Sequence, residues 1–501
     1  MSSSSSASIT DPSDPMYDIT REDITNIYAA DGRYNPEGGA AIHAKLANGF
    51  PVATRSYIQM SADYDRVFFT SDIHSDLRKF IQMLIANQLI TSPILPYTGD
   101  AIYGPELIAD TEWIGGTRTC LVIVGDLVDG RRIFNRTGTK SNSVNDTKGS
   151  FEFLLLALLY NLRRKANRVG SELLFTIGNH EFGSILNETI LYTHYVTDKS
   201  KQFFNGSWAI RNAALSPFLN TSPYYMIVFV SPNHKVEVQC IHGGFHSEPE
   251  GTSLFGDLHE IQDQIDSGRD LADITAEVED AINTRVYTNE STGFCETLKT
   301  SPTTAMHSEF LLTIVGHCIT GSSPRSNELI NTQDLYQGCD GHTVVPPDGS
   351  PREVGCVVMD CNYDDGAPSL VYVDIALSQA FRHPTIIPSY NHNKFRNVQM
   401  LLLTHDSSRE NDRRYFNKIE RVVSMDAGTP RSGLNQSTIL YEAPLKATAS
   451  EEPINAEAIG ETSTTGGRRP KQSRRTAKKK RRTFRKLTSS RRTRRTVVRR
   501  L

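Results

Sequence analysis

Short apolar runs alternate with stretches of helical spacing from Arg66 onward, and this alternation predicts an α/β fold. RVFFTSD (66–72), CLVIVGD (120–126) and ELLFTIGN (172–179) are continuous apolar runs closed by polar residues, the pattern of strands buried on both faces. Between them, LRKFIQMLIANQLI (77–90) and FEFLLLALLYNLRRKA (151–166) carry apolar residues at helical spacing. YYMIVFV (224–230) and KVEVQCIHGG (235–244) are separated by SPNH, which predicts a hairpin. FLLTIVGH (310–317), GCVVMD (355–360), LVYVDIA (370–376), VQMLLLTH (398–405) and RVVSMD (421–426) continue the strand series, and the acidic stretch 256–285 reads as a surface helix. Strands and helices that alternate early and give way to strands predict stacked sheets with helices outside.

The two ends break this pattern. Residues 1–15 are Ser-rich and predicted to be disordered, and 16–60 show weak periodicity with no evident role. Beyond about residue 445 the core-building residues give out, and a polar linker leads into a basic tail. The chain therefore divides into an N-terminal extension (1–60), a folded domain (61–405), a C-terminal extension (406–450), and a disordered linker with tail (451–501).

Charge sharpens that division. The formal net charge of −3 conceals a strong asymmetry, because 18 of the 54 Lys and Arg residues lie between Arg468 and Leu501, where there is no acid. The body is left with 36 basic residues against all 57 acidic ones. No stretch approaches the roughly 18 apolar residues of a membrane span, and the longest run, Phe151–Leu162, contains Glu152 and Asn161. MSSSSSASITDPSDPMYD lacks the basic start and apolar run of a secretory signal. The seven cysteines form no CxxC pair, which fits reduced thiols. The expectation is an intracellular, non-secreted protein with no membrane association.

Metal-friendly residues fall at the ends of the predicted strands. Asp72-Ile73-His74 closes the first, Gly125-Asp126-Leu127-Val128-Asp129 the second, and Gly178-Asn179-His180-Glu181 the third. Ile241-His242-Gly243-Gly244 and Val315-Gly316-His317 close two later ones. Ligands converge at strand ends in α/β sheets, so these loops can meet at one edge. An isolated Asp-x-His or Gly-His after an apolar run is ordinarily a turn, but five such groups, each after a predicted strand, are not explained as turns. Carboxylate, amide oxygen and imidazole together suit two divalent ions such as Mn, Fe or Zn, bridged by Asp126. His246 reads as a surface or supporting histidine, and GSSPRSNEL (321–329) as a loop.

The order DIH, GDLVD, GNHE, HGG, GH resembles the calcineurin-like metallophosphoesterase superfamily, in particular its protein serine/threonine phosphatase branch. Trp113-Ile114-Gly115-Gly116 looks like the lead-in of the bacterial-type, Shewanella-like phosphatases, and Val373–Phe381 is similar to the Asp-x-Gly-Met-Ser segment that closes their catalytic domain. The resemblance covers about residues 64–385 and makes 61–405 the catalytic domain. It implies a four-layer α/β/β/α sandwich with disordered termini. It also implies one metal on Asp72, His74 and Asp126, and a second on Asp126, Asn179, His242 and His317. His180, oriented by Asp129, would protonate the leaving alkoxide while activated water attacks phosphorus. One departure stands out: Gly130 occupies the place of the family's phosphate-holding arginine, so Arg131 or Arg132 would have to supply that guanidinium.

The resemblance thus implies a phosphatase acting on a phosphorylated protein or nucleotide. The readings are a serine/threonine protein phosphatase, a dinucleoside polyphosphate hydrolase, or a DNA-associated structural protein whose phosphatase fold is a relic. The 468–501 tail reads as a nuclear-targeting arm or one that binds nucleic acid without sequence preference, since Phe484 alone makes no stacking platform. Folding back on the acidic body is the competing idea. Arg/Lys-Thr tails of this kind resemble those on proteins of large DNA viruses, which would place the chain in a virion or viral factory.

Overall fold

The computed structural model describes residues 14–26, 35–49, 57–61, 63–74, 77–93, 105–128, 150–181, 226–233, 236–243, 311–317, 357–362, 366–375, 398–424 and 436–447. Three strands expected from their apolar runs lie side by side and parallel: β2 (Arg66–Thr70), β5 (Thr119–Val124) and β6 (Glu172–Thr176). All six residues of β5 are buried, which is why its sequence shows no alternation. An antiparallel meander of β12 (Val398–Thr404), β13 (Lys418–Ser424) and β14 (Gln436–Glu442) extends this sheet from the β2 side. The segment set apart in sequence as a 406–450 extension therefore supplies two strands of the first sheet.

The second sheet has the order β1-β7-β8-β9-β11-β10. Its strands are β1 (Tyr57–Ser61), β7 (Met226–Val230), β8 (Val236–Ile241), β9 (Leu312–Val315), β10 (Val358–Asn362) and β11 (Pro368–Tyr372). β7 and β8 pair antiparallel as the SPNH turn predicts, whereas β8, β9 and β11 run parallel. Each sheet thus carries three adjacent parallel strands.

The sheets pack face to face. Phe69 of the first sheet meets Phe229 of the second edge-on at 6.0 Å between ring centroids, and Phe229 meets Phe416 in the same way. Such T-shaped pairs add about 0.5–1.5 kcal/mol each beyond the area they bury. Polar ties join the layers as well, since the Phe416 N–H donates to the buried Glu237 and the Val357 N–H to Gln399. Helices α3 (Leu77–Ala86) and α5 (Ser150–Arg168) pack on the first sheet, with Phe80, Leu84, Leu155 and Leu159 fully buried. The surface helix expected from the acidic stretch 256–285 lies outside the described residues.

Much of the N-terminal extension is integral to this body. Ile19 and Ile42 are in the core, the latter on α2 (Pro36–Gly49). Asn161 of α5 binds the backbone of Ile19 in both directions, at 2.9 and 2.8 Å. The buried Arg164 guanidinium pairs with Asp18 at 2.7 Å and lies over the rings of Tyr17 and Tyr160. Asn161 and Arg164 are buried polar groups of α5; the extension satisfies Arg164, and together with the Ile108 carbonyl it satisfies Asn161. Among the described residues no helix is long and apolar enough to cross a membrane.

Candidate metal centre

The strands of the two parallel trios, β2/β5/β6 and β8/β9/β11, end at one edge of the sandwich, and the turns after five of them bring the candidate ligands together. Asp72 and His74 follow β2, Asp126 follows β5, Asn179 and His180 follow β6, His242 follows β8, and His317 follows β9. Every one of these residues is buried. Sequence spacing alone separates them by up to 245 residues, the distance between Asp72 and His317, whose N–H donates to Asp72 Oδ2 at 3.0 Å.

The backbone is strained where the ligands sit. Asp72, His74, Asp126 and His317 all have positive φ, between 45° and 61°. Side-chain-bearing residues adopt that region at a cost on the order of 1 kcal/mol or more, and such outliers persist where surrounding structure enforces them. Close backbone approach adds a second constraint. A Cβ on Gly178 would collide with the Asp126 amide and carboxylate, and one on Gly316 would lie 2.7 Å from the Val124 carbonyl and 2.9 Å from Asp72 Oδ2.

Asp126 is the centre of the arrangement. Its Oδ2 lies 3.6 Å from both His74 Nε2 and His180 Nε2, while its Oδ1 lies 3.3 Å from His242 Nε2. Two triads, His74–Asp126–His180 and Asp126–His242–His317, each bring their donor atoms within 4.8 Å of one another. A carboxylate with one oxygen on each side is what a bridge between two cations requires. His74 Nε2 is also 3.7 Å from Asp72 Oδ1, and His242 Nε2 is 3.2 Å from Asn179 Oδ1. The geometry therefore gathers all six expected ligands, and it sets His180, expected as a proton donor, at ligand distance on the His74 side.

The imidazoles are oriented for coordination. His242 Nδ1 donates to the Val124 carbonyl at 2.8 Å, and His74 Nδ1 to the Val128 carbonyl at 3.3 Å. A carbonyl can only accept, so Nδ1 carries the proton and Nε2 is left to face the carboxylates. Burial works against the charge of His242, but the neighbouring Asp126 and Asp72 outweigh it and push its pKa up to about 10. Burial also opposes the charge of Asp126, yet His180, His242 and His74 hold its carboxyl well below the usual range. Asp72 goes the other way: burial, together with the charge of Asp374, raises its carboxyl well above it. Buried like charges facing a cluster of imidazoles fit a site completed by divalent cations.

Glu181 performs a task that its place in Gly-Asn-His-Glu did not disclose. Its Oε2 accepts the N–H groups of Asp126 and Gly178 at 2.9 and 2.8 Å, and its Oε1 accepts that of Val128 at 2.9 Å. One buried carboxylate thereby ties the turn after β5 to the turn after β6. Asp129, Arg131 and Arg132, as well as Gly130 and His246, lie outside the described residues. Trp113 is far from the ligands in role: it closes a turn, its indole N–H reaching the Gly116 carbonyl at 3.4 Å.

Residues 65–284 match the family model of the calcineurin-like phosphoesterases. No curated protein sequence matches the chain. Among solved structures, it is similar to a cold-active protein-tyrosine phosphatase of a psychrophilic Shewanella species, at a TM-score of 0.42 and 15% identity over 78% of this chain and 85% of that one. A protein serine/threonine phosphatase from Saccharomyces cerevisiae gives a TM-score of 0.37 and 13% identity, over 84% of this chain and 95% of that one. A putative diadenosine tetraphosphatase gives 0.27 and 13%, over 74% of this chain and 100% of that one. The family match spans the turns that carry Asp72, His74, Asp126, Asn179, His180 and His242, and it ends before His317.

Proposed function

We propose that the chain hydrolyses phosphate monoesters at a two-cation centre, with phosphoserine- or phosphothreonine-bearing protein as its substrate. The observation that carries this reading is Asp126, whose two carboxylate oxygens face separate imidazole sets. Asp72, His74 and Asp126 would hold one cation, and Asp126, Asn179, His242 and His317 the other. The chemistry that cations held there would supply is charge neutralisation and a more acidic water. The chain's own residues do the rest. Val124 and Val128 fix the His242 and His74 tautomers, and Glu181 braces the two turns; His180 would give a proton to the departing oxygen. Mn, Fe and Zn all suit a mixed oxygen and imidazole donor set.

The test is hydrolysis of a generic aryl phosphate by metal-stripped protein titrated with Mn, beside Asp126→Asn and His180→Ala. Cation-dependent turnover lost in both variants supports the reading, and no turnover with any divalent ion defeats it. Phosphopeptides compared with diadenosine tetraphosphate then separate the substrate classes, and a preference for the dinucleotide would overturn the protein-phosphatase assignment. The 468–501 tail, with 18 cations and no acid, is proposed as an arm for nucleic acid. Its removal should weaken DNA binding and flatten the salt dependence without altering aryl phosphate turnover, and unchanged DNA affinity would end the idea.

A further inference from the structure

The cation pair as proposed has one imidazole on the His74 side and two on the other, yet two imidazoles stand on each side of Asp126. His74 Nε2 and His180 Nε2 both lie 3.6 Å from Asp126 Oδ2, and His74 Nε2 lies 3.7 Å from Asp72 Oδ1. Donors around one tetrahedral ion with bonds of about 2.1 Å are about 3.4 Å apart, so these separations suit a ligand shell that an ion would draw in slightly. The two rings meet edge to face, with 4.6 Å between centroids and 79° between planes. His180 is also as buried as the ligands, at 1% exposure beside 1% for His74 and 0% for His242.

The chain fixes His180 at this spot. β6 runs parallel to β5 with Thr176 opposite Val124, so the turns after the two strands leave the sheet side by side. Gly178 brings its backbone against Asp126, where a Cβ would collide with the carboxylate. The His180 N–H then donates to Asp126 Oδ1 at 3.0 Å while its ring nitrogen faces Oδ2. Glu181, next in the chain, accepts the N–H groups of Asp126 and Gly178 and locks the two turns together. A proton donor has to touch the departing oxygen, but in this state His180 Nε2 is directed at Asp126. That nitrogen has one lone pair, which takes either a cation or a proton.

We propose that His180 is a ligand in the substrate-free protein, its Nε2 completing a four-donor set with Asp72, His74 and Asp126 for the His74-side cation. The inference rests on the two-cation reading and deepens it. His180 reaches the departing oxygen only after its ring turns away from that position, which links substrate entry to the release of one imidazole. A second imidazole beside two carboxylates also shifts the His74 side toward Zn and away from Mn.

The experiment uses the full chain, metal-stripped and loaded with Co, as wild type, His180→Ala and His180→Gln. Proton NMR of the Co-loaded protein counts ligands, because each coordinated imidazole gives one strongly shifted, solvent-exchangeable ring N–H. Wild type should show one such signal each from His74, His180, His242 and His317, and both variants should lose one of them. Calorimetric titration with Zn should show one of two sites weakened about ten-fold or more in the variants. A wild-type spectrum whose shifted signals all persist in the variants overturns the proposal, as does Zn affinity unchanged within about two-fold. Far-UV circular dichroism of the metal-free protein identifies a variant that fails to fold, and the wild-type signal count decides the matter without it. Wild type that binds fewer than two ions overturns the two-cation reading as well. Wild type that binds two ions with no signal from His180 overturns this inference alone.

Discussion

Glutamine at position 181 would keep the volume of the side chain while removing its charge and one acceptor. Three buried N–H groups depend on that carboxylate: Asp126 and Gly178 on Oε2, Val128 on Oε1. Glutamine has one oxygen, and its best orientation keeps the two bonds on that oxygen and turns –NH2 toward the Val128 N–H. Leaving that donor unpaired costs about 1–3 kcal/mol, and the two remaining bonds each lose about 1 kcal/mol of charge assistance. Against this, burial and the adjacent Asp126 charge raise the Glu181 carboxyl, so removing its charge returns part of the loss. The expected net destabilisation is about 2–3 kcal/mol for Glu181→Gln in the metal-free protein. Urea melts near pH 7 measure it directly. A change below about 0.5 kcal/mol, or a gain in stability, would refute the claim that this carboxylate ties the two turns together.

Other consequences can be checked alongside. Gly178→Ala would drive a methyl group into the Asp126 amide and carboxylate, so Mn binding should fall at least ten-fold, with wild-type affinity as the contrary result. Glu237→Gln addresses pH: burial pushes that carboxyl from its ordinary 4.5 up to about 8. The folded state therefore holds a proton that the unfolded state releases, and the stabilisation fades as pH rises from about 5 to about 8. The Tm of Glu237→Gln relative to wild type should climb across that window, and a constant difference would contradict the assignment. His242, pushed up to about 10, is protonated at pH 7 without metal. Cation binding at Nε2 should then release protons and tighten as pH rises, which a pH-stat titration reads, and proton-neutral binding would be inconsistent with it.

The core strands were legible because burial on both faces leaves an unmistakable apolar run: β5 reads TCLVIV and is buried throughout. The hairpin of β7 and β8 was equally plain from its turn. β1 and β14 were missed; β14 joins the sheet at its margin through antiparallel pairing to β13, with Ile439 exposed. An edge strand with one open side is specified by backbone pairing more than by an apolar pattern. The role of Arg164 and Asn161 on α5 was likewise hidden, because it depends on Asp18 and Ile19 more than 140 residues away in sequence.

Sequence by itself determined which residue types end each strand, because carboxylates, amides and imidazoles after apolar runs are a local chemical signal. The resemblance of that series to the calcineurin-like phosphoesterases then implied Asp72, His74, Asp126, Asn179, His242 and His317 as a set. Tertiary structure alone decided how they meet. Face-to-face packing of two sheets aligns six parallel-strand ends at one edge, and positive φ at four of the ligands turns their side chains inward. It decided also that Asp126 faces imidazoles on both sides and that Glu181 braces the turns. Those facts depend on distance and burial between segments far apart in the chain, and no local pattern of residues encodes either.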